Sequence, residues 1–207
     1  MLPLALGAHR ACSAVPADQH AANAAGLIAR SEDYLNGLHA LRARFLQVAP
    51  NGAVSRGVAW LERPGRMRFE YDQPVPLLLV ASHGLIVFHD SKLNQTSNIP
   101  LGSTPLGILL EGHIKLTGDG VTVANVRQLP QEVQLTLVRA GRSGEGSLTL
   151  TFSENPLALR QWSVTDAQGQ QTSVTLYNIQ TGGSFDQKLF DVVGPMVNPN
   201  TAGGGAG

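Results

Sequence analysis

The chain has 207 residues, fifteen basic against fifteen acidic, with only 14% charged. Balanced charge removes the electrostatic case for nucleic acid or an anionic membrane surface as partner. A single cysteine, Cys12, excludes an internal disulfide and a cysteine-built metal centre. The length suits one domain with a sizeable core.

Residues 1–22 read as a degraded or truncated signal peptide. Met1 to Ala8 is short and apolar, and Val15-Pro16-Ala17 offers a small-residue cleavage site. No Lys or Arg precedes that run, however, and His9-Arg10 interrupts it. His9 also stands where a lipidation signal has an apolar residue three places before its cysteine, so Cys12 is not read as a lipid anchor. No later run reaches the ~18 apolar residues of a membrane span. The folded domain is expected over 23–195, and the glycine-rich stretch 196–207 as a flexible tail.

Ala24, Leu27, Ile28, Leu35 and Leu38 recur at helical spacing, so a helix is predicted over about 20–36 with Asn36-Gly37 as its stop signal. The period then switches to two. Leu41, Ala43, Phe45 and Gln47 alternate with Arg42 and Arg44, which predicts a first strand, and a second runs through Val58 to Leu61. Arg63-Pro64-Gly65 carries turn chemistry. Beyond it Met67, Phe69 and Tyr71 fall on one side of an extended segment, with Arg66, Arg68, Glu70 and Asp72 on the other. Strands at 77–80 and 85–88 follow, then a polar strand at 92–98.

Ser103-Thr104-Pro105 starts a short, almost wholly apolar helix through Leu106, Ile108, Leu109 and Leu110, with Ser or Thr as cap and Pro at the first helical position. Further strands are predicted at 121–128, 132–139, 147–153, 158–166 and 172–180, separated by turn residues such as Asp119-Gly120, Asn155-Pro156 and Gly182-Gly183. Short strands with turn signals every 8–12 residues or so predict an antiparallel sandwich or barrel. The apolar faces, for example Val133, Leu135 and Leu137, suit an ordinary packed core or a sheet curled around a cavity; alternation alone does not separate the two.

Enzymatic motifs are absent, and the chain is read as a non-enzyme without cofactor. Gly141-Arg142-Ser143-Gly144 lacks the spacing of a nucleophile elbow, and Gly118-Asp119-Gly120 leads into a strand rather than a helix. His83, His89 and Asp90, with His113, are the best metal or catalytic candidates, but Gly84 places a turn between the first two; strand-end polar residues are the preferred reading.

The ordered set of pieces resembles the LolA family of periplasmic lipoprotein carriers. They are Leu41-x-Ala43-x-Phe45-x-Gln47 after the helix, then Gly57-x-Ala59-Trp60, and Arg63-Pro64-Gly65 through Phe69-x-Tyr71 to Gln73-Pro74. Leu79 to Gly84, Val87 to Asp90, Leu93-Asn94-Gln95, the Thr104-Pro105 helix and Lys188-Leu189-Phe190 complete it. The resemblance implies a mainly β (α+β) fold, an incomplete antiparallel barrel or half-barrel closed by an N-terminal helix and short lid helices over an apolar cavity. It also implies acyl chains of lipoproteins as cargo, taken from an inner-membrane ABC transporter and passed to the outer membrane, with an outer-membrane acceptor lipoprotein as a further partner. The expected compartment is the periplasm of a Gram-negative bacterium, and the expected state a monomer. Arg63 matches the family's arginine before the proline, whose implied role is to hydrogen-bond the lid and hold the empty cavity shut; a turn-stabilising surface arginine is the competing reading. Trp60, Met67, Phe69 and Tyr71 are the cavity candidates, with Leu106, Ile108 and Leu109 on the lid. A sensory or regulatory module of the same half-barrel fold, binding a lipoprotein or membrane protein without ferrying it, stays open as the alternative.

Overall fold

The computed structural model describes residues 17–118 and 120–191. Cys12, most of the stretch read as a signal peptide, and the tail at 196–207 lie outside the described residues. Helix α1 (Ala17–Gly37) begins inside that stretch, slightly earlier than its apolar spacing suggests. The strands that follow are β1 (Ala40–Val48), β2 (Val54–Glu62), β3 (Arg66–Tyr71), β4 (Leu77–Ser82), β5 (Leu85–Asp90) and β6 (Gln95–Pro100). Two 3-10 segments, Leu101–Ser103 and Pro105–Leu110, separate them from β7 (Val121–Leu129), β8 (Glu132–Arg139), β9 (Ser147–Glu154), β10 (Leu157–Thr165) and β11 (Gln171–Thr181).

The strands form one antiparallel sheet of eleven, in the order β6-β5-β4-β3-β2-β1-β11-β10-β9-β8-β7. Each β-hairpin adds the next strand, and the first and last strands meet in the middle, with Phe45 opposite Leu176. β6 and β7 are the two edges and do not pair, so the barrel is open. The period-two alternation decides which side faces in. Leu41, Ala43 and Phe45 on β1, Met67 and Phe69 on β3, Leu135 and Leu137 on β8, and Leu148, Leu150 and Phe152 on β9 all belong to one buried cluster on the concave face. Helix α1 adds Leu27 and Leu35 to that cluster, with Leu38 just past its end, and Tyr34 meets Phe152 edge-on at 5.8 Å between ring centroids.

Gly57 is where the sheet is tightest. A Cβ there would lie 2.0 Å from the Glu70 carbonyl oxygen and 2.6 Å from the Phe45 ring. A glycine inside a strand is explained by such a close approach.

Two expectations shift, and the closing element takes a definite form. The polar strand starts at Gln95; residues 92–94 form the hairpin turn, where the Asp90 carboxylate accepts the Lys92 and Leu93 N–H groups at 2.9 and 3.0 Å. The lid segment is 3-10 rather than α-helical, with Pro105 at its first turn and the Gly107 N–H bonded to the Thr104 carbonyl at 3.1 Å. The Thr104 hydroxyl does not cap it but donates back to the Leu101 carbonyl at 3.1 Å. Finally, the closing element around Phe190 is a 3-10 turn, Gln187–Phe190, laid on the convex side. There Phe185 N–H donates to Glu62 at 2.9 Å, Arg68 donates to the Leu189 carbonyl at 3.1 Å, and Arg66 stacks over the Phe190 ring.

Candidate ligand cavity and its latch

Concave-face side chains do not fill the space they enclose. An apolar cavity of about 240 Å³ remains between the β3–β6 side of the sheet and β10–β11. Met67, Phe69, Leu79, Ile86, Trp162 and Val174 form most of its apolar wall. Phe69 and Trp162 meet edge-on within that wall, ring centroids 6.0 Å apart. Phe88 and Ile99, each 37% exposed, carry the apolar surface out to solvent.

Of the residues singled out in the sequence, Met67, Phe69, Tyr71 and Leu106 border this cavity. Ile108 and Leu109 do not; they are 0% and 2% exposed and pack into the core cluster instead. Trp60 is a correction. It pairs with Arg68 across β2 and β3, so it shares the convex face with the charged residues, and the Arg42 guanidinium lies over its ring at 5.7 Å. Leu61, opposite Met67, holds the inward position. The expectation that alternation groups Trp60 with Met67 fails; the register set across the Pro64-Gly65 turn pairs it with Arg68 instead.

Gln47, Leu79, Ile86, Trp162 and Val174 were not singled out as cavity residues. Their own alternation places them on an apolar face, but only the curvature that brings β3 opposite β10 makes that face a wall. Tyr71 donates its hydroxyl to the Gln47 side-chain oxygen at 2.9 Å. Burial pushes the Tyr71 phenol above its ordinary pKa.

At the other end of β1 the β2–β3 turn grips the lid. Gly65, at φ +73°, donates its N–H to the Leu110 carbonyl at 2.8 Å. Arg63, 7% exposed, donates from Nε and Nη2 to the Leu38 carbonyl at 2.9 and 2.6 Å and from Nη1 to the Glu111 carbonyl at 3.3 Å. Its partners are thus the ends of α1 and of the 3-10 lid. Burial lowers the pKa of this guanidinium, because removal from water disfavours its charged form. Arg63 is therefore not a surface side chain.

His83 lies in the β4–β5 turn, His89 on β5 and His113 in the loop after the lid. Among the described residues no three His, Cys, Asp or Glu side chains gather as a metal-holding group.

Residues 36–193 match the family described as outer membrane lipoprotein carrier protein LolA. The chain belongs to the LolA family. An outer-membrane lipoprotein carrier protein of Methylococcus capsulatus is 30% identical over 80% of this chain and 83% of its own length. One from Dechloromonas aromatica is 28% identical over 83% and 85%. A solved structure described as a putative outer membrane lipoprotein-sorting protein domain from Vibrio parahaemolyticus superposes with a TM-score of 0.48 at 9% identity, over 80% of this chain and 95% of that one. The resemblance on Arg63-Pro64-Gly65 and the strands around it therefore extends, as LolA membership, over most of the described sheet.

Proposed function

We propose that this chain is a periplasmic carrier that shelters the acyl chains of lipoproteins in the apolar cavity and moves them from an inner-membrane ABC transporter to the outer membrane. The observation that carries the reading is an unfilled, apolar-walled space in a member of a family named for lipoprotein carriage. Each methylene removed from water stabilises the complex by about 0.8 kcal/mol, so an exposed acyl chain has a strong reason to enter such a wall.

The cavity is smaller than the roughly 300–1,000 Å³ typical of ligand sites. Cargo therefore enters as the lid and the β5–β6 hairpin move apart. Arg63 and Gly65, by holding the lid's last carbonyls, favour the closed, empty state. Loading breaks those bonds and release restores them, so the cargo is held without being trapped. Met67 is suited to a wall that must accept chains of different length, because its thioether is flexible and polarizable.

The test is release from membranes. Inner-membrane vesicles carrying an acylated lipoprotein and its transporter are incubated with the protein and ATP, then sedimented. Lipoprotein in the supernatant, bound to this chain, is the expected result. Lipoprotein that stays in the pellet contradicts the carrier role and leaves the acylation-independent regulatory module as the better reading.

A further inference from the structure

Gln47 ends the sequence motif on β1, and the carrier reading leaves it unused. It borders the cavity in company with Tyr71, Thr104 and Thr172, the polar members of an otherwise apolar lining. Gln47, Tyr71 and Thr172 all sit at strand ends: Gln47 next to the last residue of β1, Tyr71 last in β3, and Thr172 second in β11. Ala40, at the start of β1, lies near the Arg63 latch. At about 3.3 Å per residue the seven steps from Ala40 place Gln47 about 23 Å away. Gln47, Tyr71 and Thr172 thus mark one end of the site and the latch the other.

The Tyr71 hydroxyl occupies the Gln47 side-chain oxygen at 2.9 Å. That bond fixes which way the amide lies, and Tyr71 is itself held edge-on against Phe45 at 5.2 Å. The Gln47 amide nitrogen is not among the buried polar atoms left without a partner, so its N–H pair meets solvent at the border of the apolar space. A ligand carbonyl oxygen that displaces the water there can accept from those N–H groups. A fatty-acyl chain carries one carbonyl, at the end where it is esterified, and methylenes everywhere else.

Building on the carrier reading, we propose that Gln47, positioned by Tyr71, donates to the ester carbonyl that joins an acyl chain to the lipoprotein's lipid-modified N-terminus. Chains then enter with their carbonyl ends at Gln47 and their methyl ends toward the latch. The hydrocarbon wall supplies affinity and Gln47 sets insertion depth and direction.

The experiment compares two synthetic lipopeptides with the same peptide and the same C16 chains, one a diacyl ester and one its dialkyl ether, by calorimetric titration into the intact protein. Wild type binds the ester roughly three- to tenfold more tightly than the ether, the range expected for one satisfied hydrogen bond. Gln47→Leu abolishes that preference while keeping ether binding, which also certifies that the variant is folded. Tyr71→Phe, which keeps the ring and loses the donor, weakens the ester preference and leaves the ether unchanged. Equal ester and ether affinity in wild type, or an ester preference that survives in Gln47→Leu, overturns the proposal. Phosphatidylglycerol with the same chains offers the same carbonyls from a membrane lipid; binding at least as tight as the lipopeptide's assigns the subsite to phospholipid and also overturns it. Wild type that binds neither lipopeptide removes the carrier reading itself, and this subsite with it.

Discussion

Asn36, in the last turn of α1, and Ile114, four residues past the lid helix, exchange two hydrogen bonds: the side-chain amide donates to the Ile114 carbonyl and its oxygen accepts the Ile114 N–H, each at 2.9 Å. Two residues on, the Leu116 N–H donates to Glu32 at 2.6 Å. One face of α1 thus serves as a strand-like partner for a segment outside the sheet. Arg63 binds both α1 and the lid, so helix, lid and following loop are joined as one unit.

Asn36→Ala leaves both backbone groups of Ile114 without partners at a site 1% exposed. The cost expected is about 1–3 kcal/mol. Urea titration checks the loss, and hydrogen exchange at Ile114 should rise more than exchange in β1. Uniform acceleration across the sheet would contradict the local role.

Arg63→Leu removes three bonds from a buried donor, two to Leu38 and one to Glu111. The closed empty state loses what favours it over the loaded one. Loading should persist, and release to an acceptor membrane should slow by at least about tenfold, the equivalent of roughly 1.4 kcal/mol. A release assay from the purified complex measures this; unchanged release would reduce Arg63 to a structural turn residue.

Phe88 borders the cavity yet is 37% exposed, so Phe88→Glu places a charge where acyl chains enter without burying it in the core. The expected result is a strong loss of lipoprotein complex with a melting temperature within a few degrees of wild type. Met67→Glu is a different experiment, because Met67 is 1% exposed and an unpaired carboxylate there should destabilise the fold outright.

Arg44 and Asp72 form an ion pair on the convex side, and the Arg44 guanidinium holds the Asp72 carboxyl below its ordinary value of 3.8. A depressed carboxylate stabilises the fold fully above the unfolded value and loses that contribution as pH falls through the folded one. The stability gap between wild type and Asp72→Asn should therefore be constant from pH 7 to about 5 and close as pH falls below 3.8. It should be small and shrink in high salt, because both side chains are open to solvent. Denaturant midpoints across this pH range decide it, and a gap that widens on acidification contradicts the assignment.

The positions of the strands along the chain were legible because alternation and turn residues are local. Met67, Phe69 and Tyr71 announce their shared face within five residues. The positions that went astray depend on what is not local. Trp60 turned outward because register across the β2–β3 turn pairs Leu61, not Trp60, with Met67. Ile108 and Leu109 entered the core because the lid is a 3-10 segment lying against β8–β10 as well as bordering the cavity. Residues 111–118 have no periodicity to read, since α1 side chains hold them at Ile114 and Leu116. The cavity itself arises from curvature: Trp162 and Phe69 become neighbours only when the open sheet bends.

The central claim is that the cavity takes acyl chains. Its most direct test is native mass spectrometry of the protein purified after co-expression with a lipoprotein, in an acylated form and in a form whose lipid-bearing cysteine is replaced. The account predicts a one-to-one complex with the acylated form and none with the unacylated form. Equal binding of both forms, or of neither, would contradict it.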